Sequence, residues 1–303
     1  MADKQVETTG HQWDDEEGFP LQEFNNPLPR WWLYSFYATI LFAVIYWILY
    51  PAWPIPGGFT KGVLGWSQYQ ELQKEMTDAQ SARKVFDDRL SAASLEEIAA
   101  NPQLLAYAKA GGRALFANQC AGCHGTEGSG TTQGFPILVD DDWLYGGTLQ
   151  EIYATIANGR SGTMPPHLQA AGGAFSEAQV NDLADFVLTL SNRPADKAAA
   201  ERGKALFMGD AGCHLCHGDH GRGSVLDTLG GQPLDHNTGA PNLTDGIWLH
   251  GGDRATIVQT IARGRASKMP AWGVDSGESL GRNLGPLAVK QLALYVHGLG
   301  GGK

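Results

Sequence analysis

Two short stretches constrain this chain more than anything else in it: Cys120-Ala121-Gly122-Cys123-His124 and Cys213-His214-Leu215-Cys216-His217, which together use all four cysteines of the 303 residues. Each is a Cys-x-x-Cys-His box. Two thiols three positions apart can each add to one vinyl group of a single porphyrin, and the adjacent histidine can then offer its imidazole to the iron. Zinc is the main competitor for paired cysteines. A tetrahedral site needs its ligand pairs close together, whereas these pairs begin 93 residues apart, and zinc does not require a histidine after each second cysteine. The boxes therefore predict two covalently bound haem c groups, one on Cys120 and Cys123, the other on Cys213 and Cys216. His124 and His217 are the first axial ligands.

Haem c is joined to protein on the oxidising side of a membrane, so the boxes also predict an export route. The 40 glycines of the chain suit small domains whose loops approach a flat cofactor closely. A net charge of −10 excludes nucleic acid as a partner and favours positively charged ones. That charge is uneven: residues 1–101 carry net −7, residues 102–195 net −4 and residues 196–303 net +1.

Residues 1–30 read as a polar, acidic tail with Asp14-Asp15-Glu16-Glu17 and several prolines, flexible or loosely docked. Residues 31–50 form an uncharged run closed by Pro51. Twenty helical residues rise about 30 Å, the thickness of the hydrocarbon core. Trp31, Trp32 and Tyr34 at one end, with Tyr46, Trp47, Tyr50 and Trp53 at the other, form aromatic belts. A cleaved leader would be shorter, would start earlier and would end in a small-x-small pattern. One membrane helix is the expectation, with the lipid bilayer as its solvent. The boxes must face the oxidising side, which leaves the amino end cytoplasmic.

Residues 51–101 read as a helical linker, with a capping-box pattern at Ser94-Leu95-Glu96-Glu97 and an N-cap before proline at Asn101-Pro102. The remainder repeats itself. Gly112-Arg113-Ala114-Leu115-Phe116 returns as Gly203-Lys204-Ala205-Leu206-Phe207, and Trp143-Leu144-Tyr145-Gly146-Gly147 as Trp248-Leu249-His250-Gly251-Gly252. Gly159, Arg160, Met164 and Pro165 return 105 residues later as Gly264, Arg265, Met269 and Pro270. Residues 102–195 and 196–303 are thus two copies of one unit: helix, box, loops, helix, Met-Pro loop, final helix. In the second copy the tryptophan lies 31 positions after the box histidine against 19 in the first, an insertion expected to be a surface loop.

The matching methionines supply the sixth ligands. Chain order pairs His124 with Met164 and His217 with Met269, and a thioether opposite an imidazole raises the reduction potential. Arg160 and Arg265 are candidates for paired hydrogen bonds to haem propionates, and Trp143 and Trp248 for an indole N–H to the same groups. The acidic run Asp140-Asp141-Asp142 is either a solvated turn or a docking patch for a basic cytochrome.

The order of elements resembles the class I cytochrome c fold, giving an all-α expectation: one N-terminal transmembrane helix followed by two tandem class I cytochrome c domains. Asn25-Asn26-Pro27-Leu28-Pro29-Arg30-Trp31-Trp32, the single anchor and the two boxes together resemble the dihaem cytochrome c subunit (subunit III) of cbb3-type haem–copper oxidases. The resemblance implies a non-catalytic electron-transfer subunit of the bacterial inner membrane with its haem domains in the periplasm. It implies that soluble or membrane-attached cytochrome c donates electrons. They would pass through a monohaem cytochrome c subunit towards the catalytic haem–copper subunit that reduces oxygen. A free membrane-anchored dihaem shuttle and a dihaem peroxidase are the alternatives. The peroxidase would need one exchangeable iron position, against which the two matched methionines speak.

Overall fold

The computed structural model describes residues 7–12, 22–131, 134–273, 283–300 and 302. The acidic run Asp14–Glu17 of the expected tail lies outside them. The chain divides into two compact units, Met1–Ala82 and Arg83–Lys303.

In the first unit, Thr8–Gln12 (β1) pairs antiparallel with Gln22–Phe24 (β2), so part of the supposed loose tail is a hairpin. Arg30–Leu49 forms helix α1, 20 residues long and apolar after Arg30, with no buried residue. Its length and composition allow it to cross a membrane. A second antiparallel hairpin follows, Pro54–Ile55 (β3) against Gly58–Phe59 (β4), where only helix was expected. Gln68–Ala92 then forms the 25-residue helix α2.

The second unit opens with Leu95–Ala100 (α3) and Pro102–Gln119 (α4), begun by the caps read from the sequence. Ser94 Oγ accepts the Glu97 N–H at 3.2 Å, and the Ser94 N–H donates in return to Glu97 Oε2 at 2.8 Å. Asn101 Oδ1 accepts from the N–H groups of Gln103 and Leu104, with Pro102 in the first turn where no amide is needed. Then come Ala121–His124 (α5), Leu149–Asn158 (α6), Arg160–Met164 (β5), Glu177–Leu190 (α7) and Lys197–Met208 (α8). His214–His217 (α9), Gly223–Leu226 (α10), Thr228–Leu229 (β6), Gln232–Pro233 (β7), Arg254–Arg263 (α11), Arg265–Met269 (β8) and Pro286–His297 (α12) complete it.

The packing crosses the sequence repeat. Helix α4, which leads into the first box, packs on α12, the last helix of the second copy, and α12 also covers α6. Helix α8, which leads into the second box, packs on α7, the last helix of the first copy, and α7 also meets α11. The repeated glycines make the crossings possible. A Cβ on Gly112 would overlap the Gln291 carbonyl and the Tyr295 side chain, and one on Gly203 would overlap the Asp182 carbonyl and Phe186. Two cores result. One gathers Phe116, Ile152, Ile156, Val289, Leu292 and Val296; the other gathers Val180, Leu183, Val187, Phe207, Ile257 and Ile261.

Strands β5 and β8 carry the exchange. They pair antiparallel with Arg160 opposite Met269, Gly162 opposite Ser267 and Met164 opposite Arg265. Five extended residues reach about 16 Å, enough to carry each Met-Pro loop from its own copy into the other. The landing is symmetric. Trp272 and Gly273 donate to the carbonyls of Ile156 and Ala157 at 3.0 and 2.8 Å, and His167 and Leu168 to those of Ile261 and Ala262 at 3.0 and 3.2 Å. Gly159 (φ +69°) and Gly264 (φ +70°) start the two strands, and a side chain on either would strike the backbone of the opposite Met-Pro loop.

A third cluster, Leu90, Leu95, Ile98, Leu104, Ala108 and Leu294, fastens the end of α2 to the first core. Lys290 on α12 closes that helix end, donating to the carbonyls of Leu90, Ser91 and Ala93 at 3.3, 2.9 and 2.6 Å.

Candidate haem centres

Each box folds as a single helical turn. His124 N–H donates to the Cys120 carbonyl and His217 N–H to the Cys213 carbonyl, both at 2.9 Å. Gly125 (φ +76°) and Gly218 (φ +87°) end the two turns. Cys120 and Cys213 are half-buried, Cys123 and Cys216 exposed, and none is in a disulfide. Burial pushes the Cys120 and Cys213 thiols up to about 11. These surroundings suit neutral sulfur, as in a thioether, and oppose the thiolate that zinc requires. Among the described residues no three His, Cys, Asp or Glu side chains converge on one point as metal ligands.

The two histidines are held alike. His124 Nδ1 lies 3.1 Å from the Pro136 carbonyl and His217 Nδ1 3.0 Å from the Pro241 carbonyl. A carbonyl only accepts, so Nδ1 carries the proton and Nε2 is left bare as a ligand atom. Burial lowers the pKa of both imidazoles, which favours the neutral, metal-binding form. The prolines went unremarked in the sequence. The signal was present: Gly134-Phe135-Pro136-Ile137-Leu138 returns 105 residues on as Gly239-Ala240-Pro241-Asn242-Leu243, in step with the methionines.

The pairing expected from chain order is not what the fold brings together. Met269 packs in the core that holds Cys120, Trp143 and Phe116, and Met164 packs in the core that holds Cys213, Trp248 and Phe207. Each methionine therefore shares a core with the box of the other copy. Strands β5 and β8, paired antiparallel, lead to these two methionines.

The arginines are tethered by threonines one turn back. Arg160 Nε donates to Thr155 Oγ1 at 2.9 Å and Arg265 Nε to Thr260 Oγ1 at 3.0 Å. Arg160 is held further: its Nη1 donates to Asn237 Oδ1 at 2.7 Å and its guanidinium lies 4.9 Å from the centre of the Tyr145 ring. Among the described residues Trp248 Nε1 is a buried donor with no hydrogen-bond partner, which fits a haem propionate as its acceptor. The Arg193 guanidinium lies 5.3 Å from the centre of the same indole. Trp143 stands against Gly147 as Trp248 stands against Gly252.

The insertion of the second copy is more than a surface loop. Within it His236 Nδ1 meets Glu151 Oε1 at 2.9 Å, beside the Asn237–Arg160 bond, so it straps the first copy. The run Asp140–Asp142 is not wholly solvated either. Asp141 is exposed, but burial, reinforced by Asp245, Asp140 and Asp141, pushes Asp142 up to about 6.

Among the described residues, one helix apolar enough to cross a membrane and two helical, box-bearing cores that each hold a methionine define a membrane-anchored tandem cytochrome c. Comparison with known proteins agrees. Residues 5–56 match the N-terminal domain of cytochrome oxidase-cbb3, FixP, and residues 108–187 and 198–279 match cytochrome c oxidase, cbb3-type, subunit III. The chain is 47% identical to the cbb3-type cytochrome c oxidase subunit FixP of Azorhizobium caulinodans, over 98% of this chain and 94% of that one. It is 44% identical to the subunit CcoP of Azospirillum brasilense, over 98% and 96% of the two chains. It is 41% identical to the CcoP of Rhodobacter capsulatus, over 99% and 97%. The chain belongs to the family of cbb3-type cytochrome c oxidase subunit III, membrane-anchored electron-transfer subunits with covalent haem c.

Proposed function

We propose that the chain carries two haem c groups with exchanged ligands: His124 and Met269 for the haem on Cys120 and Cys123, His217 and Met164 for the haem on Cys213 and Cys216. The observation that carries this is the packing of Met269 with Cys120 and of Met164 with Cys213. When bound, each haem supplies a one-electron ferrous–ferric couple, whose potential a thioether opposite an imidazole raises. The protein's own share is placement. The Pro136 and Pro241 carbonyls fix the imidazole planes, the two cores exclude water, and Met164 and Met269 would hold the coordination position that a substrate would otherwise need. Trp248 Nε1, Trp143, Arg160 and Arg265 are the donors for the propionates.

In this reading the segments 102–195 and 196–303 each carry one box and lend their last helix to the other. The tail 1–30 is cytoplasmic, 31–50 spans the bacterial inner membrane, and 51–101 leads to haem domains in the periplasm. Soluble or membrane-attached cytochrome c donates electrons. They leave through a monohaem cytochrome c subunit for the haem–copper subunit that reduces oxygen. The chain relays electrons and makes no bonds.

The test isolates one haem. With Cys120 and Cys123 both changed to Ser, Met164→Ala should abolish the low-spin methionine–iron signature of the remaining haem and open it to carbon monoxide, while Met269→Ala should leave it intact. The reverse result would restore the pairing by chain order. The same pair of variants on a Cys213→Ser, Cys216→Ser background should give the mirror outcome. Co-purification with oxygen-reducing activity after gentle solubilisation tests the partners; a chain that emerges alone would make it a free shuttle.

A further inference from the structure

Where helix α1 ends, the chain turns back on itself. A helix leaves its last four carbonyls without partners, and here two of them are closed by the chain's own backbone. Val63 N–H donates to the Ile48 carbonyl at 2.9 Å and Leu64 N–H to the Leu49 carbonyl at 3.1 Å. Gly62, at φ +68°, permits the approach, because a Cβ there would collide with the Leu49 carbonyl. Between the helix end and this return stands the β3–β4 hairpin. Thr60 secures its base: its Oγ1 accepts the N–H groups of Ala52 and Trp53 at 3.3 and 3.1 Å, and its own N–H donates to the Trp53 carbonyl at 2.9 Å.

The side chains on this turn do the opposite of hiding. Ile55, Phe59, Val63 and Leu64 are all exposed, Phe59 at 65% and Val63 at 76%. Aromatic rings join them to the anchor: Trp53 meets Trp47 edge-on at 4.8 Å, Tyr50 stacks on Tyr46 at 4.8 Å, and Trp66 meets Tyr50 edge-on at 5.7 Å. Residues 31–60 contain no charged side chain and no histidine. The first charge is the exposed Lys61, at the foot of the hairpin.

We propose that residues 53–64 are a lipid-seated collar, lying in the headgroup–acyl boundary of the leaflet through which α1 leaves the membrane. Backbone next to the hydrocarbon gains by satisfying its polar groups internally, as the Gly62 return and the Thr60 bonds do here. Tryptophan, phenylalanine and isoleucine are the side chains that favour this depth, and a lysine beside them places an ammonium at the level of the lipid phosphates. The occupant is lipid because aromatic and apolar side chains ring this turn with Lys61 as its one charge and no acid beside it, the composition of a membrane–water boundary. The proposal depends on the anchor and not on the haems.

A nitroxide on Phe59→Cys, in the full chain reconstituted in phosphatidylcholine–phosphatidylglycerol nanodiscs, tests it, with unsubstituted chain as the labelling control. The same label on Phe42→Cys marks the hydrocarbon and on Glu75→Cys marks water. The ratio of oxygen to water-soluble nickel chelate accessibility at position 59 should be severalfold that at 75 and below that at 42. It should be unchanged when the other oxidase subunits are present. A ratio matching position 75 would put the collar in water and overturn the proposal. A label shielded from both reagents only in the assembled complex would overturn it equally, by making the collar a protein interface.

Discussion

Asp227 offers the sharpest test of how the second box is held. Its carboxylate, only 3% exposed, accepts four hydrogen bonds: the N–H groups of His220 at 2.8 Å, Arg222 at 3.0 Å and Thr228 at 2.8 Å, and the His220 imidazole at 3.0 Å. It thereby ties down the loop that leaves His217. Gly218 lies so near that a Cβ there would overlap the Asp227 side chain. Burial works to raise its pKa, but the hydrogen bonds from Arg222, His220 and Thr228 prevail and bring it from an ordinary 3.8 down to about 2. That depression corresponds to roughly 2.5 kcal/mol of stability at neutral pH. Because the folded pKa lies below the unfolded one, the contribution is complete above about pH 5 and is lost as pH falls towards 2. About half should remain near pH 3.

Asp227→Asn keeps the shape but turns amide hydrogens towards donors. Urea unfolding of the detergent-solubilised chain, followed by tryptophan fluorescence, should show the variant ~2–3 kcal/mol less stable at pH 7. The gap should narrow clearly at pH 3. His220→Gln should cost under ~1 kcal/mol, since that imidazole is largely in solvent. A gap that stays the same at both pH values would assign the loss to packing and refute the electrostatic reasoning. A gap below ~0.5 kcal/mol at pH 7 would refute the anchoring itself.

Other perturbations follow from the exchanged helices and the surface charge. Arg254 on α11 grips Asp185 on α7 at 2.7 and 3.1 Å, and the Asp185 side chain is only 6% exposed. Arg254→Met should therefore cost about 2 kcal/mol in urea unfolding, a figure reduced because the guanidinium is half in solvent. Its urea midpoint should fall at pH 7, and an unchanged midpoint would show that the pair does not hold α7 in place. Gly203→Val should drive a side chain into the Asp182 carbonyl and lower stability by at least ~2 kcal/mol in the same assay. Reduction by a basic cytochrome should slow as ionic strength rises, and Asp141→Asn should slow it at low salt more than Asp142→Asn, because Asp141 is the exposed member. Equal rates in stopped-flow reduction would place the docking site elsewhere.

Most of the chemistry was legible in the sequence because it is local. A Cys-x-x-Cys-His box is one helical turn, a capping box is a contact between residues three apart, and an apolar helix is a run of twenty residues. Ser94, Asn101 and α1 accordingly stand where the pattern put them. The repeat was legible too, since it needs only comparison of the chain with itself. What tertiary structure decided is which half serves which. Gly112 and Gly203 make the same kind of close crossing, and no local pattern says which final helix each one meets. The choice rests on contacts about a hundred residues apart: β5 against β8, Gly159 and Gly264 under the opposite methionine loops, and His236 and Asn237 strapped to Glu151 and Arg160. The sequence by itself determined two boxes, two methionines and one anchor. Only the fold decided that each methionine crosses to the other box, because extended strands carry it there and the paired ribbon holds it.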